Sequence, residues 1–352
     1  MAQSSYKPVL QLTRGDIVES VHFGAIAVVT AQDDLYAWYG NPRLVTYLRS
    51  SAKPFQAMPF IERGGAQQFH LEMKEIALIC ASHSGTDEHV QVAQSIQAKT
   101  GVKESDLLCG VHMPGHRPTA ERMIRQDEKP RPNQHNCSGK HTGMVAFARW
   151  LQLPYSLEDH PYIDPEHPVQ KLILETFAEF CDYPIQKVKI GIDGCSAPNF
   201  AVPLRSAALA FARLCDPSAL SESRRLACNT ITHAMTSHPE MVGGPDSFDT
   251  HLMQAAEGKL VCKGGAEGYQ AIGVMPGAIG PGSPALGITF KISDGDYRGK
   301  ARPAVALEIL RQLGAITPSE LQKLAEYGPS FPIYNWRKLL AGTASPCFEL
   351  RH

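Results

Sequence analysis

The chain has no stretch approaching the ~18–20 consecutive apolar residues that a membrane span needs, and its opening, MAQSSYKPVLQLTRGD, lacks an apolar core of signal-peptide length. Both absences set the expectation of a cytoplasmic protein without a membrane partner. Charge of either sign is also missing in excess: 34 Lys and Arg stand against 35 Asp and Glu, for a net charge of -1. There is thus no basic field for nucleic acid and no acidic tail, and a small neutral or zwitterionic substrate fits better. No C-x-x-C pair occurs, and nine cysteines are an odd number spread over 352 residues, unlike a small disulfide scaffold. They are expected to be mostly reduced, buried thiols. No repeat, heptad run or low-complexity segment is present. The glycine-rich GVMPGAIGPGSPALG lacks both G-x-x-x-x-G-K-[ST] and a helix-opening G-x-G-x-x-G, so it reads as a turn-rich loop before a strand, with no nucleotide site.

What remains is enough apolar content, 43%, to bury a large core as one domain or two intimately packed parts. Residues 8–13, 16–21 and 24–31 are short, rich in β-branched residues and broken by Gly or Asp, which predicts an antiparallel meander. From Lys53 to about Ser237 the spacing turns helical, ending in a long run from Pro203 to His238. Strand patterns return at 259–263, 268–274 and 285–292, and ARPAVALEILRQLGA and SELQKLAEYG read as two closing helices. The order predicts an α+β fold, an antiparallel sheet built from both chain ends with a mainly helical middle. We read residues 1–352 as a single domain, with a sheet subregion at about 1–50 and 258–352 and a helical subregion at about 51–257.

The candidate chemistry starts at Ser50-Ser51-Ala52-Lys53 and returns at Lys263-Gly264-Gly265. A serine hydroxyl needs a neighbouring base to become a nucleophile, and S-x-x-K at a helix start puts both side chains on one face. Ser50 would attack and Lys53 would take its proton. An unperturbed lysine amine is almost wholly charged at neutral pH, so something must lower its pKa. A second cation with desolvation would do so, and Lys263 is the natural candidate. One backbone N–H of the oxyanion hole would come from Ser50 itself.

S-x-x-K at 50–53, the serine pair in Ala81-Ser82-His83-Ser84-Gly85 and K-G-G at 263–265 follow the motif order of the β-lactamase and penicillin-binding-protein superfamily, although the second motif lacks the usual Asn and the third has Gly where Thr or Ser is common. A closer resemblance lies in RSSAKPFQA, CASHSGTDEHV, NQHNCSGKHTGM, GIDGCSAPNF and KGGAEG, which together resemble the rhizobial-type, class 3 L-asparaginase family, also called asparaginase II. The resemblance implies a β-lactamase-like fold, a homodimer, hydrolysis of L-asparagine to L-aspartate and ammonia, and a zinc ion near the active site. It also implies that Ser82 bridges Lys53 and the leaving amine, and that Cys137, Lys140 and Cys195 hold the zinc. Without the resemblance the two cysteines would be read as buried thiols. Asp193 is a candidate for the substrate α-amino group, and His141, Arg49 or Arg117 for the α-carboxylate. Two other readings compete: a β-lactam- or peptide-recognising serine hydrolase, and a catalytically silent zinc- or ligand-binding relative.

Overall fold

The N-terminal alternation folds as the strand Lys7–Arg14, which turns at Gly15-Asp16 into the long strand Ile17–Thr30. The computed structural model describes residues 5–352. The expected break near residue 22–24 is not there. Gly24 lies inside the strand because two neighbours crowd it: a Cβ would meet the Lys291 carbonyl oxygen at 3.0 Å and the Val9 methyls at 3.1 Å. It permits close backbone approach, the second use of glycine in a strand.

The sheet is antiparallel, in the order Phe331–Tyr334, Leu340–Pro346, Lys7–Arg14, Ile17–Thr30, Leu286–Ile292, Tyr269–Val274, Leu260–Gly264, with Leu35–Tyr39 also paired to Ile17–Thr30. It is built from both chain ends, as expected. Two of its strands, Phe331–Tyr334 and Leu340–Pro346, follow the closing helices and were not foreseen. They are short, and their apolar residues are interrupted by Asn335, Arg337 and Lys338 at the hairpin tip.

By backbone packing the chain forms two compact units, one running to Ser51 and resuming over Val202–Asp216 and Ala255–His352, the other comprising Ala52–Ala201 and Pro217–Gln254. The helix Leu204–Cys215, which falls inside the long helical run of the sequence, belongs to the sheet unit. It lies directly on the strand Leu286–Ile292: Thr289 Oγ1 donates to Leu204 O at 2.8 Å, and a Cβ on Gly287 would come within 1.7 Å of Ala208 O. The helix Ala301–Gln312 is started by Asp296, whose carboxylate accepts the N–H groups of Lys300, Ala301 and Arg302 at 3.2, 3.0 and 2.7 Å.

In the helical unit the helix Lys53–Glu62 is central, buried from Lys53 to Ile61 and packed on Ser138–Trp150, Pro168–Phe180 and Glu222–Ser237. Phe55 meets Phe177 and Phe180 at ring separations of 6.0 and 5.2 Å. A helix buried on all sides needs no amphipathic face. Thr86 caps the helix Asp87–Thr100, exchanging bonds with His89. All nine cysteines are free thiols, eight of them buried. No helix among the described residues is long and apolar enough to cross a membrane.

Gly287→Ala is expected to destabilise the protein by about 2 kcal/mol or more, since the carbonyl facing it cannot move without shifting a helix. Gly280→Ala, with nothing within 4 Å of its added Cβ, should lie within about 0.5 kcal/mol of wild type. Urea denaturation of the two variants checks both, and equal midpoints would refute the packing account.

Candidate active site

The sheet unit carries Ser50 and Lys263. Ser50 sits in the 3-10 turn Arg49–Ala52, and Arg49 just before it takes a left-handed φ of 51°. A non-glycine residue holds that conformation at a cost of roughly 1–3 kcal/mol, and only where its surroundings enforce it. The enforcing contacts are in place. Ser51 N–H donates to Leu48 O at 3.1 Å, and the buried Ser51 Oγ donates to Lys263 O at 2.7 Å. Gly265 completes the joint, because a Cβ there would stand 2.4 Å from Leu48 O. The glycine after Lys263-Gly264 therefore has a steric reason: it brings the end of strand Leu260–Gly264 against the turn that presents Ser50. Lys263 is 1% exposed, and its Nζ donates to Gly264 O at 2.8 Å.

In the helical unit Lys53 opens its helix and is likewise 1% exposed. Its Nζ donates to Asn136 O at 3.4 Å, and the Asn136 side-chain amide donates to Ser82 Oγ at 3.4 Å. Ser82 N–H is in turn fixed to Val242 O at 2.9 Å. Asn136 thus joins Lys53 to Ser82, a role the sequence reading did not give it. The absent Asn of the second motif was the available clue. His112 Nε2 accepts the Asn136 N–H at 3.1 Å, which leaves Nδ1 as the protonated nitrogen, donating to Met113 O at 2.6 Å.

Two glycines set the depth at which the next helix packs. A Cβ on Gly139 would fall 2.2 Å from Leu78 O, and one on Gly143 would fall 2.6 Å from a methyl of Ile79. The helix Ser138–Trp150 therefore presses against Met73–Ile79, the helix that leads into Ser82. Cys137 is the N-cap of this helix, and Lys140 and His141 stand in its first turn. Cys195 comes from the turn between strands Lys189–Ile192 and Pro198–Pro203, tightened by Ser196 N–H donating to Asp193 O at 2.9 Å.

These side chains form one buried cluster. Lys140 Nζ is 2.9 Å from Cys195 Sγ. A hydrogen bond with Cys195, opposed by burial and aided by the charges of Lys53 and Lys140, holds the Cys137 thiol well below its usual pKa. Burial works against the Lys140 ammonium, but the Cys195 and Cys137 sulfurs outweigh it and raise its pKa. Burial pushes His141 down to about 4, so its ring is neutral at physiological pH. His141 Nδ1 is 2.6 Å from the Tyr162 hydroxyl, while its buried Nε2 has no hydrogen-bond partner. Cys109 lies nearby as a protonated thiol, raised to about 12 by burial and the neighbouring Cys137 and Cys195. Tyr162 and Cys109 were not foreseen.

Among the described residues no group of three or more His, Cys, Asp or Glu side chains is arranged to hold a metal. A metal here would need the Lys140 amine as a donor. By donor chemistry alone, two cysteine sulfurs and a deprotonated lysine amine would make a soft, mixed set of the kind zinc takes. The remaining candidates have partners of their own. Asp193 accepts the Gly194 N–H at 2.7 Å and adds its charge to the field at Lys140. Arg49 stands 3.9 Å from the Glu267 carboxylate in the sheet unit. Arg117 is exposed on the first turn of helix Arg117–Arg125 and pairs with Glu121 at 2.6 Å.

Each unit thus carries a buried lysine against a main-chain carbonyl, and the sheet unit also carries a serine turn under backbone strain. The chain matches the L-asparaginase II family model over residues 10–346 and belongs to that family. It is accordingly an amidohydrolase. No curated protein matches it. Among solved structures it is similar to a probable glutaminase from Bacillus subtilis complexed with 6-diazo-5-oxo-L-norleucine, at 11% identity over 83% of this chain and 84% of that one, with a TM-score of 0.39. A second Bacillus subtilis glutaminase structure, a covalent complex with 5-oxo-L-norleucine, aligns at 11% identity over 86% and 85% of the two chains, with a TM-score of 0.34.

Histidines brace several loops of the helical unit. His83 Nδ1 accepts the Gly85 N–H at 3.1 Å, His135 Nδ1 accepts that of Cys137 at 3.0 Å, and His167 Nδ1 accepts that of Val169 at 3.1 Å. Each bond needs a neutral ring. His83 then donates from Nε2 to Ser138 Oγ at 2.9 Å and stacks on His89 at 4.8 Å. Burial lowers the pKa of both His83 and His89, and for His83 the charge of His89 adds to it. The unfolded chain binds these protons below its ordinary histidine pKa near 6.5 while the folded chain refuses them. The stabilisation is therefore complete above about pH 6.5 and is lost as pH falls toward the folded-state values. We expect unfolding free energy to decline from pH 6.5 to 5, with a shallower slope in His89→Gln. A profile flat across that window would refute neutral burial.

Proposed function

We propose that the protein hydrolyses L-asparagine to L-aspartate and ammonia through a seryl ester on Ser50. The observation that carries this reading is the family match over residues 10–346 falling on a chain whose Lys53 is buried and linked through Asn136 to Ser82. Ser50 Oγ attacks the side-chain amide carbon while its proton passes to the Lys53 amine. The carbon–nitrogen bond then breaks, and the departing nitrogen takes a proton by way of Ser82 and leaves as ammonia. Water adds to the ester, aspartate departs, and the hydroxyl proton returns to Ser50. Developing charge on the carbonyl oxygen is met by the Ser50 N–H. Lys263 supplies a second buried cation on the strand whose main chain is bonded to Ser51. Arg49, next to the nucleophile, is our partner for the substrate carboxylate. Arg117, solvated and paired with Glu121, is left out of the proposal.

Zinc belongs to the same proposal, held by Cys137, Cys195 and Lys140. When bound, a zinc ion would supply positive charge beside the cysteine sulfurs, and Ser50 already provides the nucleophile. The homodimer implied by the resemblance is carried with it.

Ammonia release from L-asparagine, with L-glutamine in parallel, tests the reading. Wild type is expected to turn over asparagine, and Ser50→Ala to lose about 10³-fold or more. Wild-type turnover in Ser50→Ala would end the nucleophile assignment, and a preference for glutamine would replace the substrate. Zinc content after dialysis is expected near stoichiometric in wild type and strongly reduced in Cys137→Ala. A metal-free wild type with full activity would remove zinc from the scheme.

A further inference from the structure

Tyr162 is the buried anchor of the segment between the helices Ser138–Trp150 and Pro168–Phe180. Three bonds hold it. Its N–H donates to Tyr155 O at 3.2 Å, its carbonyl accepts from Gln170 Nε2 at 2.7 Å, and its hydroxyl accepts the N–H of Leu108 at 2.7 Å. The hydroxyl also stands 2.6 Å from Nδ1 of His141, a fully buried ring in the first turn of the helix that carries Lys140. The proposed reaction uses neither side chain.

The direction of the bond between them follows from counting protons. Burial raises the phenol well above its ordinary pKa, so the hydroxyl keeps its one proton. That proton needs an acceptor, because the other partner of the oxygen, Leu108 N–H, is itself a donor. If Nδ1 carried the ring proton and donated it to the hydroxyl, the phenol proton and the Nε2 lone pair would both be buried unmet. With the phenol donating to Nδ1, Nε2–H is the one group of the pair left without a partner. The second arrangement strands fewer buried polar groups, and it assigns His141 as a neutral ring protonated at Nε2.

Nδ1 being committed, Nε2–H is all that the ring can offer its neighbours. The Cys195 sulfur draws on this ring as a hydrogen-bond acceptor, although no atom closes a short, straight bond on Nε2. We propose that Tyr162 is a positioning residue: by donating to His141 Nδ1 it fixes the Nε2–H tautomer, so that His141 meets the cluster of Cys137, Lys140 and Cys195 as a hydrogen-bond donor and is withheld as a metal ligand. The consequence rests on the zinc reading above. Four protein ligands make a closed, structural zinc site, whereas three leave a position for water or substrate. An imidazole lone pair added to Cys137, Lys140 and Cys195 would close the set. The Tyr162 hydroxyl keeps it open by deciding which ring nitrogen carries the proton.

The first test needs neither metal nor turnover: long-range nitrogen–proton NMR of the histidine-labelled full chain, with the His141 signal assigned by its loss in His141→Gln. Wild type is expected to show His141 protonated at Nε2 and bare at Nδ1. The second is X-ray absorption at the zinc of the loaded protein, in wild type and in Tyr162→Phe, which keeps the ring and its packing but has no proton to give. Imidazole scattering should be absent from the wild-type zinc shell and should appear in Tyr162→Phe. A wild-type His141 protonated at Nδ1 would overturn the proposal, as would imidazole in the wild-type shell, or a shell left unchanged in folded Tyr162→Phe. Both wild-type measurements decide the matter if the variant does not fold. Wild type that takes up no zinc would overturn the zinc reading and the open position with it, while an Nε2–H signal would still uphold the tautomer.

Discussion

The carbonyl oxygen of Leu78 occupies the space that a side chain on residue 139 would need, and the chemistry of the helical unit depends on that contact. Helices packed through side chains usually sit 8–10 Å apart, and glycine at the crossing lets backbone approach backbone. Here the approach carries the start of Ser138–Trp150 down onto the end of Met73–Ile79. Everything polar nearby follows from that depth. Asn136 can reach Ser82 on one side and Lys53 on the other only because the residues just after it are pressed against the helix that delivers Ser82. The same first turn puts Lys140 within 2.9 Å of Cys195. A bulkier residue at 139 would separate the two segments and break both sets of contacts together.

The sheet unit solves a similar problem by similar means. Gly265 admits the Leu48 carbonyl, and Ser51 is bonded to the main chain of Lys263. The second serine of the Ser50-Ser51 pair is therefore structural. Its hydroxyl is spent on a carbonyl 212 residues away in sequence, which holds the turn. Glycine at 139 and at 265 is explained by sterics before any appeal to catalysis.

Much of this was legible in the sequence, and the failures have physical causes. The sheet from both chain ends could be read because alternating β-branched residues and turn residues mark strands locally. Gly24 misled because a glycine that ends a strand and one that admits a neighbouring backbone look the same until the neighbour is known. The hairpin Phe331–Tyr334 and Leu340–Pro346 escaped because its partner is the strand Lys7–Arg14, more than 300 positions away. The resemblance named the cysteines and Lys140 as candidates, whereas the contacts of Asn136 and Tyr162 were not anticipated. Asn136 stood inside a quoted motif, but nothing in its spacing says that its amide reaches Ser82. Their roles come from contacts that the chain makes only once folded.

The number of buried ionisable groups argues that stability did not dictate this interior. Lys53, Lys140 and Lys263 are each nearly inaccessible, and His83 and His141 are as well. Removing such charges from water costs several kcal/mol apiece before any partner repays it, and well-packed apolar residues of the same volume are often at least as stable. Burial keeps both of these histidines neutral, so they add no further positive charge to the lysines. A fold selected for stability alone would replace the set with leucine and methionine. Retaining three buried amines, each against a main-chain carbonyl or a sulfur, is a cost that packing does not explain, and groups of this kind collect at functional sites.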